Sequence, residues 1–378
     1  MNILIIAHFQ YDSSPYNRFV HDQAKTYAEL GHRVVVLCPM TRFKGGVNAQ
    51  IKGKSEQIID GVKVYYVKHL SLSNYGKYGA NNTLAYRAIK KMFLQIRRSG
   101  FEPDIIQAHM IGFEGNLAVR LKEAYGIPVV ITTHGSDTAL EIAAGKADYI
   151  VGICKRADAV VAVSSKLRRL LKAQSPELHV TVIHNGFESK NISLQKKTPR
   201  SIISVGHLIK AKNFDITLNV FRQVLAQYPD ATLTIIGTGV LEESLKSLSA
   251  ELNLSDSVVF TGEIANKAVL EQMGKSEVFL LPSSPEGLGI VYLEAMASGC
   301  FTIGTKGEGI EDIIRHEENG ILIQPNNTEE IVKYILKAFE EDAYFDKIIT
   351  NAMRDAAEYT WMKNAKANIA LFTRLITR

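Results

Sequence analysis

The stretch SSPEGLGIVYLEAMASGC, Ser283 to Cys300, concentrates residues that can do chemistry. The preceding VFLLP reads as a buried strand, and Pro285 with the glycines sets a turn. IVYLEAMAS then reads as a helix closed by Gly299. A glycine-containing loop that runs into a helix start presents unpaired backbone N–H groups and the positive end of the helix dipole. Such a start, here Gly287, Leu288, Gly289 and Ile290, suits an anion, most commonly phosphate. Two acids stand oddly beside it. Glu286 lies in the loop, where a carboxylate would repel phosphate, so it suits hydroxyls that donate to it. Glu294 lies more than a turn into the helix and suits a second set of hydroxyls. A phosphate cradle with a hydroxyl acceptor on each side matches a ligand built as sugar, diphosphate and ribose. The plain alternative is a capped helix with two surface acids.

Other loops share this chemistry. SVGHLIKAKNFD puts Gly206 and His207 after a strand, and Lys212 just beyond, where a point charge can reach a diphosphate. IIGTGVLEE lacks the third glycine of a dinucleotide fingerprint, which argues against NAD. In FTGEI, the backbone at Gly262 and Glu263 can read a base edge. In the first half, QAHMIGF places His109 after one strand and TTHGSD places His134 after the next. A lone histidine is usually structural, but two at adjacent strand ends point toward a site. SSPYNRF, with Asn17 and Arg18, fills the loop after the first strand, where a second substrate would enter.

These loops need rigid strands to position them. Short β-rich runs alternate with helical stretches from NILIIA to HVTVIHNG, and again from RSIISVGHL to GILIQP, which argues for mostly parallel sheets covered by helices on both faces. The polar, basic, proline-ended NGFESKNISLQKKTPR interrupts the rhythm. The expected organisation is a doubly wound domain over 1–186, a linker over 187–198, a second such domain over 199–360 and a final helix over 361–378. In open α/β sheets, ligands bind outside the carboxyl ends of the strands. The chemistry-bearing residues fall there.

The chain has 378 residues, 46% of them apolar and 22% charged, the composition of a soluble two-domain globular protein. No apolar run is long enough to span a bilayer. The N-terminus lacks a basic lead and a cleavage site, so it reads as a strand rather than a signal peptide. Three widely spaced cysteines, Cys38, Cys154 and Cys300, fit a reducing cytoplasm and no metal cage. Residues 1–200 carry 28 Lys and Arg against 15 Asp and Glu, and residues 201–378 carry 16 against 24, so a +13 half precedes a −8 half. The basic half suggests an anionic partner. No nucleic-acid motif accompanies it. YRAIKKMFLQIRR, residues 86–98, and KLRRLLK, residues 166–172, are basic. Ile89, Met92, Phe93 and Ile96 fall on one helical face, so this stretch suits either core packing or an anionic membrane surface.

Together these stretches resemble the retaining glycosyltransferases of family four, which have the GT-B fold of two Rossmann-like domains facing a central cleft. PDIIQAH, TTHGSD, VIHNGFE, VGHLIKAKNFD, SSPEGLGIVYLEAMASG, GIEDIIRHEENGILIQPNN and YTWMKNAKA are similar to the family's motifs, in the family's order, over nearly the whole chain. The resemblance implies that Glu286 holds donor-sugar hydroxyls, Glu294 the ribose, Lys212 the diphosphate, and that His134 sits at the reacting sugar. Asp137 would support its own loop, and the last helix would cross back onto the first domain. The resemblance also implies a nucleotide-diphospho-sugar donor, retained anomeric configuration, and a glycan or lipid-linked acceptor.

Two departures stand out. His207 takes the place of the family's diphosphate-binding arginine, and YNRF puts Arg18 where the family often has glycines. Arg18 then either compensates for the missing arginine or meets an anionic acceptor, with Asn17 and His109 as neighbouring candidates. The absence of any Asp-x-Asp pair leads to an expectation of metal-independent transfer without a cofactor, with Lys212 and the helix start stabilising the leaving diphosphate. A UDP-sugar is favoured over a GDP-sugar, and the expected location is cytoplasmic, peripheral on the inner face of the plasma membrane. The competing classes are a nucleotide-sugar epimerase or phosphorylase on the same fold and a non-catalytic nucleotide-sugar-binding subunit.

Overall fold

The structure, a computed structural model, describes residues 1–9, 18–41, 55–70, 80–190, 192–324 and 326–377. Asn17 and the preceding SSPY lie outside the described residues. The chain divides into two compact units. Unit 1 comprises residues 1–184 and 361–378, and unit 2 comprises residues 185–360.

Unit 1 is built on β1 (Asn2–Ile6), β2 (Arg33–Thr41), β3 (Glu56–Ile59), β4 (Val62–His69), β5 (Ile105–His109), β6 (Val129–Thr133), β7 (Ala159–Ala162) and β8 (Val180–Val182). Their order is β3-β4-β2-β1-β5-β6-β7-β8, with every pairing parallel except β3–β4. β1 and β5 are buried almost throughout, which is why they read as continuous apolar runs. The antiparallel β3–β4 hairpin departs from the expected strand–helix alternation. Its signal is Asp60-Gly61, both at positive φ (46° and 79°), the backbone a two-residue hairpin turn requires.

The helix Ala80–Arg98 buries Ala85, Ile89, Phe93 and Ile96 among Leu4, Leu37, Tyr65 and Leu117. Its apolar stripe is therefore occupied by the sheet, and only its basic face could meet an anionic surface. On the opposite face, the helices Arg18–Glu29 and Trp361–Ile376 pack together. Tyr27 and Phe372 lie 5.9 Å apart, and Gln23 donates to Asn364.

Unit 2 is an all-parallel sheet of β9 (Thr198–Val205), β10 (Thr232–Ile236), β11 (Val258–Gly262), β12 (Ser276–Leu280), β13 (Phe301–Thr305) and β14 (Ile321–Ile323). The order β11-β10-β9-β12-β13-β14 is that of a dinucleotide-binding domain, with its switch point between β9 and β12. All six strands match the runs read from the sequence. Within residues 187–198, expected to be a linker, Phe187 pairs with Thr360, and the Ser193 carbonyl lies against Gly274.

Candidate active site

In unit 2 the loops after β9 and β12 flank the switch point and are tied together. The Ser284 N–H donates to the Ala211 carbonyl (2.7 Å), and the Asn213 amide donates to the Pro282 carbonyl (2.8 Å). Two glycines make the neighbouring loops fit. A Cβ on Gly237 would stand 2.0 Å from the Gly206 carbonyl oxygen, and one on Gly309 would stand 1.7 Å from that of Gly287. The helix Ile290–Ala297 starts at Gly289, whose φ of 78° and close approach to the Tyr292 ring leave no room for a side chain. Tyr292 anchors this start from below, donating to the Leu281 carbonyl (2.5 Å).

Lys212 and Glu286, expected to serve different parts of a ligand, are joined in an ion pair. Glu286 also accepts from the Ser283 hydroxyl and the Gly287 N–H, each at 3.1 Å. Burial pushes the Glu286 carboxyl up, but the adjacent Lys212 ammonium and these hydrogen bonds outweigh it. The net result holds Glu286 below the usual range, so it is ionised at neutral pH. Glu308, which the sequence reading passed over, holds the loop from behind. It accepts from the Glu286 N–H (2.6 Å) and the Ser284 hydroxyl (2.9 Å). Glu294 receives a hydrogen bond from Asn266 (2.9 Å), also missed, at the start of the helix Asn266–Lys275.

Gly206 lies beneath the Lys212 stem, Gly262 is at φ 68° at the end of β11 with Glu263 next to it, and Leu288 is buried. His207 is half-buried, and burial, reinforced by Lys212, pushes its imidazole down. It is therefore neutral at pH 7 and is no like-for-like substitute for an arginine.

In unit 1 the switch point lies between β1 and β5. Asp137 is buried, and its oxygens accept from the Ile111, His134 and Gly135 N–H groups and the Thr133 hydroxyl, all at 2.9–3.0 Å. It shapes the loop, as its motif suggested. His109, expected to face an acceptor or a phosphate, does neither. It is 2% exposed, and its Nδ1 lies 2.9 Å from Nε2 of His134. Burial pushes His109 down to about 3, so it cannot carry charge toward an anion at neutral pH. Arg18, 42% exposed, opens its helix and pairs with Asp22 at 3.5 Å. His8 at the end of β1 pairs with buried Glu114, and Phe113 packs between His8 and His69. Neither His8 nor Glu114 carried a sequence signal, because each is functional-looking only once β1 and β5 are side by side.

The three thiols are buried and free, with burial pushing Cys38 and Cys154 up to about 12 and Cys300 up to about 11. No group of His, Cys, Asp and Glu that could hold a metal ion occurs among the described residues, and none of their helices is long and apolar enough to cross a membrane.

A pair of Rossmann-like units, one with an acid-bearing loop and helix start at its switch point, is the architecture of the GT-B fold. Residues 185–355 match the family of glycosyl transferases group 1, and residues 16–190 match glycosyltransferase family 4. The chain belongs to these glycosyltransferases. An uncharacterised glycosyltransferase of Haemophilus influenzae is 39% identical over 141 residues, which is 37% of this chain and 39% of that protein. An uncharacterised glycosyltransferase of Methanocaldococcus jannaschii is 26% identical over 83% of this chain and 85% of its own. The structure of the Anabaena protein HepE in complex with UDP and glucose superposes with a TM-score of 0.78 at 19% identity, covering 99% of this chain and 100% of that one, a likeness of fold.

Proposed function

We propose that this enzyme transfers a hexose from a UDP-sugar to a hydroxyl of a lipid-linked or cell-surface glycan precursor, with retention of configuration and without a metal. The observation that carries this reading is the pairing of Lys212 with Glu286 over the helix start at Gly289. A cation for the growing charge on a leaving diphosphate stands beside an ionised acceptor for sugar hydroxyls. On this reading, donor binding exchanges the pair for ligand contacts: Lys212 turns to the diphosphate, Glu286 to the sugar, Glu294 to the ribose and His134 to the sugar. The departing phosphate oxygen takes the acceptor proton, so charge stabilisation by Lys212 and the N–H groups at Gly289–Ile290 supplies the rate. The UDP complex of the HepE structure supports the choice of base. The exposed basic residues of unit 1, including Arg87, Lys91, Arg168 and Arg169, suit a peripheral contact with the anionic inner face of the plasma membrane.

The deciding experiment is a thermal-shift panel of UDP- and GDP-sugars. A matching donor at a hundredfold excess over Kd stabilises by about 2.7 kcal/mol. The matched donor is then incubated with candidate acceptors, and the product's anomeric configuration is read by NMR. Inversion, or donor turnover that needs no acceptor, would overturn the proposal, the latter in favour of an epimerase or hydrolytic activity.

A further inference from the structure

In unit 1, His109 and His134 form a constrained pair. Their rings are nearly parallel (22°) with centroids 5.2 Å apart, and Phe19 lies against His134 at 4.0 Å and 30°. His109 Nδ1 and His134 Nε2 share one hydrogen bond at 2.9 Å. The two outer nitrogens, His109 Nε2 and His134 Nδ1, are buried without a hydrogen-bond partner. His109 is buried and His134 partly so, and burial holds both below the range in which they would become charged.

Two neutral imidazoles carry two ring protons between four nitrogens, and one of these protons must occupy the shared bond. The outer nitrogens are therefore coupled. If the shared proton sits on His109 Nδ1, then His134 carries its own on Nδ1 and His109 Nε2 is bare. If it sits on His134 Nε2, the arrangement reverses. An N–H left unpaired in the interior is rarer than a bare acceptor left unpaired. His109, at the end of β5, is 2% exposed, whereas His134 is only partly buried as a residue and follows β6 in the loop shaped by Asp137. The proton that needs an oxygen therefore belongs on His134.

We propose that His109 is a positioning residue that fixes the tautomer of His134, so that His134 meets the donor sugar with a neutral N–H on Nδ1. This rests on the reading that His134 faces the sugar. The specificity consequence is that the sugar position facing His134 must offer an oxygen lone pair. A hydroxyl satisfies this, and a deoxy or fluoro substituent at that carbon does not. Phe19 adds to the arrangement by fixing the plane of the ring.

The test uses the full-length protein labelled with 15N in histidine. Long-range 1H–15N correlation at pH 7 is expected to show both rings as the Nδ1–H tautomer, with bare Nε2. A wild-type His134 carrying its proton on Nε2 overturns the proposal without any variant. His109→Asn keeps a side-chain N–H near the Nδ1 position and is expected to retain both the His134 tautomer and the transfer rate. His109→Leu removes the donor. It should return His134 to Nε2–H and lower kcat/KM about tenfold, the scale of one lost hydrogen bond, with UDP affinity unchanged. An unchanged tautomer and rate in a folded His109→Leu protein would overturn the assignment, as would equal losses in the Asn and Leu variants. If the wild type consumes no nucleotide sugar, the transferase reading falls, while the NMR pattern still decides whether His109 sets the tautomer.

Discussion

At the scale of single residues, Lys212 and Glu286 form an ion pair across the loops after β9 and β12. Separating them leaves a partly buried charge without its partner, so truncating either one does more than delete a contact. Glu286→Gln should release Lys212 to a diphosphate while removing the ionised acceptor for sugar hydroxyls. UDP affinity by titration calorimetry is expected to hold or rise, while turnover falls at least about a hundredfold. Loss of UDP binding together with turnover would place Glu286 in a purely architectural role. The histidine pair makes a prediction about pH. Burial depresses His109 from 6.5 to about 3 and moves His134 in the same direction. The unfolded chain therefore binds more protons than the folded one between those values. The stability contribution is fully present above pH 6.5 and is lost as pH falls, by up to about 1.4 kcal/mol per pH unit for His109, with His134 acting in the same direction. Thermal midpoints measured from pH 7 to pH 5 should fall more steeply in the wild type than in His109→Asn.

At the scale of elements, the site is a set of loops pressed together where strand order reverses. Gly237 and Gly309 matter because backbone passes over backbone there, at distances no Cβ can share. Gly309→Ala is expected to push the loop over residues 284–289 out of place, destabilise unit 2 by about 1–3 kcal/mol, and weaken UDP-sugar binding. Calorimetry and thermal melts would read both effects. Normal affinity would show that the loop adjusts without consequence. The same scale accounts for the fate of the basic helix Ala80–Arg98. Its spacing fits a membrane-surface helix and a core helix equally well, and the parallel sheet claims its apolar face.

At the scale of the whole molecule, the chain leaves unit 1 after residue 184 and returns to it at residue 361. The returning helix Trp361–Ile376 contributes Ala365, Leu371 and Phe372 to the core of unit 1. Phe372 is fully buried, so Phe372→Ala should cost about 3–5 kcal/mol, all of it in unit 1. Differential scanning calorimetry should show the transition of unit 1 moving down while UDP still raises the midpoint of unit 2. A uniform shift of both transitions would show that the units unfold as one.

Much of the fold is legible in the sequence. Buried parallel strands are continuous apolar runs, so β9 to β14 and most strands of unit 1 announced themselves, and loop residues such as Lys212, Glu286, His134 and Asp137 stood out because they follow those runs. The β3–β4 hairpin had a local signal in Asp60-Gly61 that the strand alternation obscured. Other features had no local signal. Glu308 lies 22 residues from the N–H it holds, Glu114 lies 106 residues from His8, and His109 lies 25 residues from His134. Sequence alone determined the period of the elements and the chemistry at their ends, because burial and turn geometry act over a few neighbouring residues. Tertiary structure alone decided which of those groups pair, because a hydrogen bond or an ion pair depends on distance through space. That is why Lys212 meets Glu286 and His109 turns away from solvent to His134.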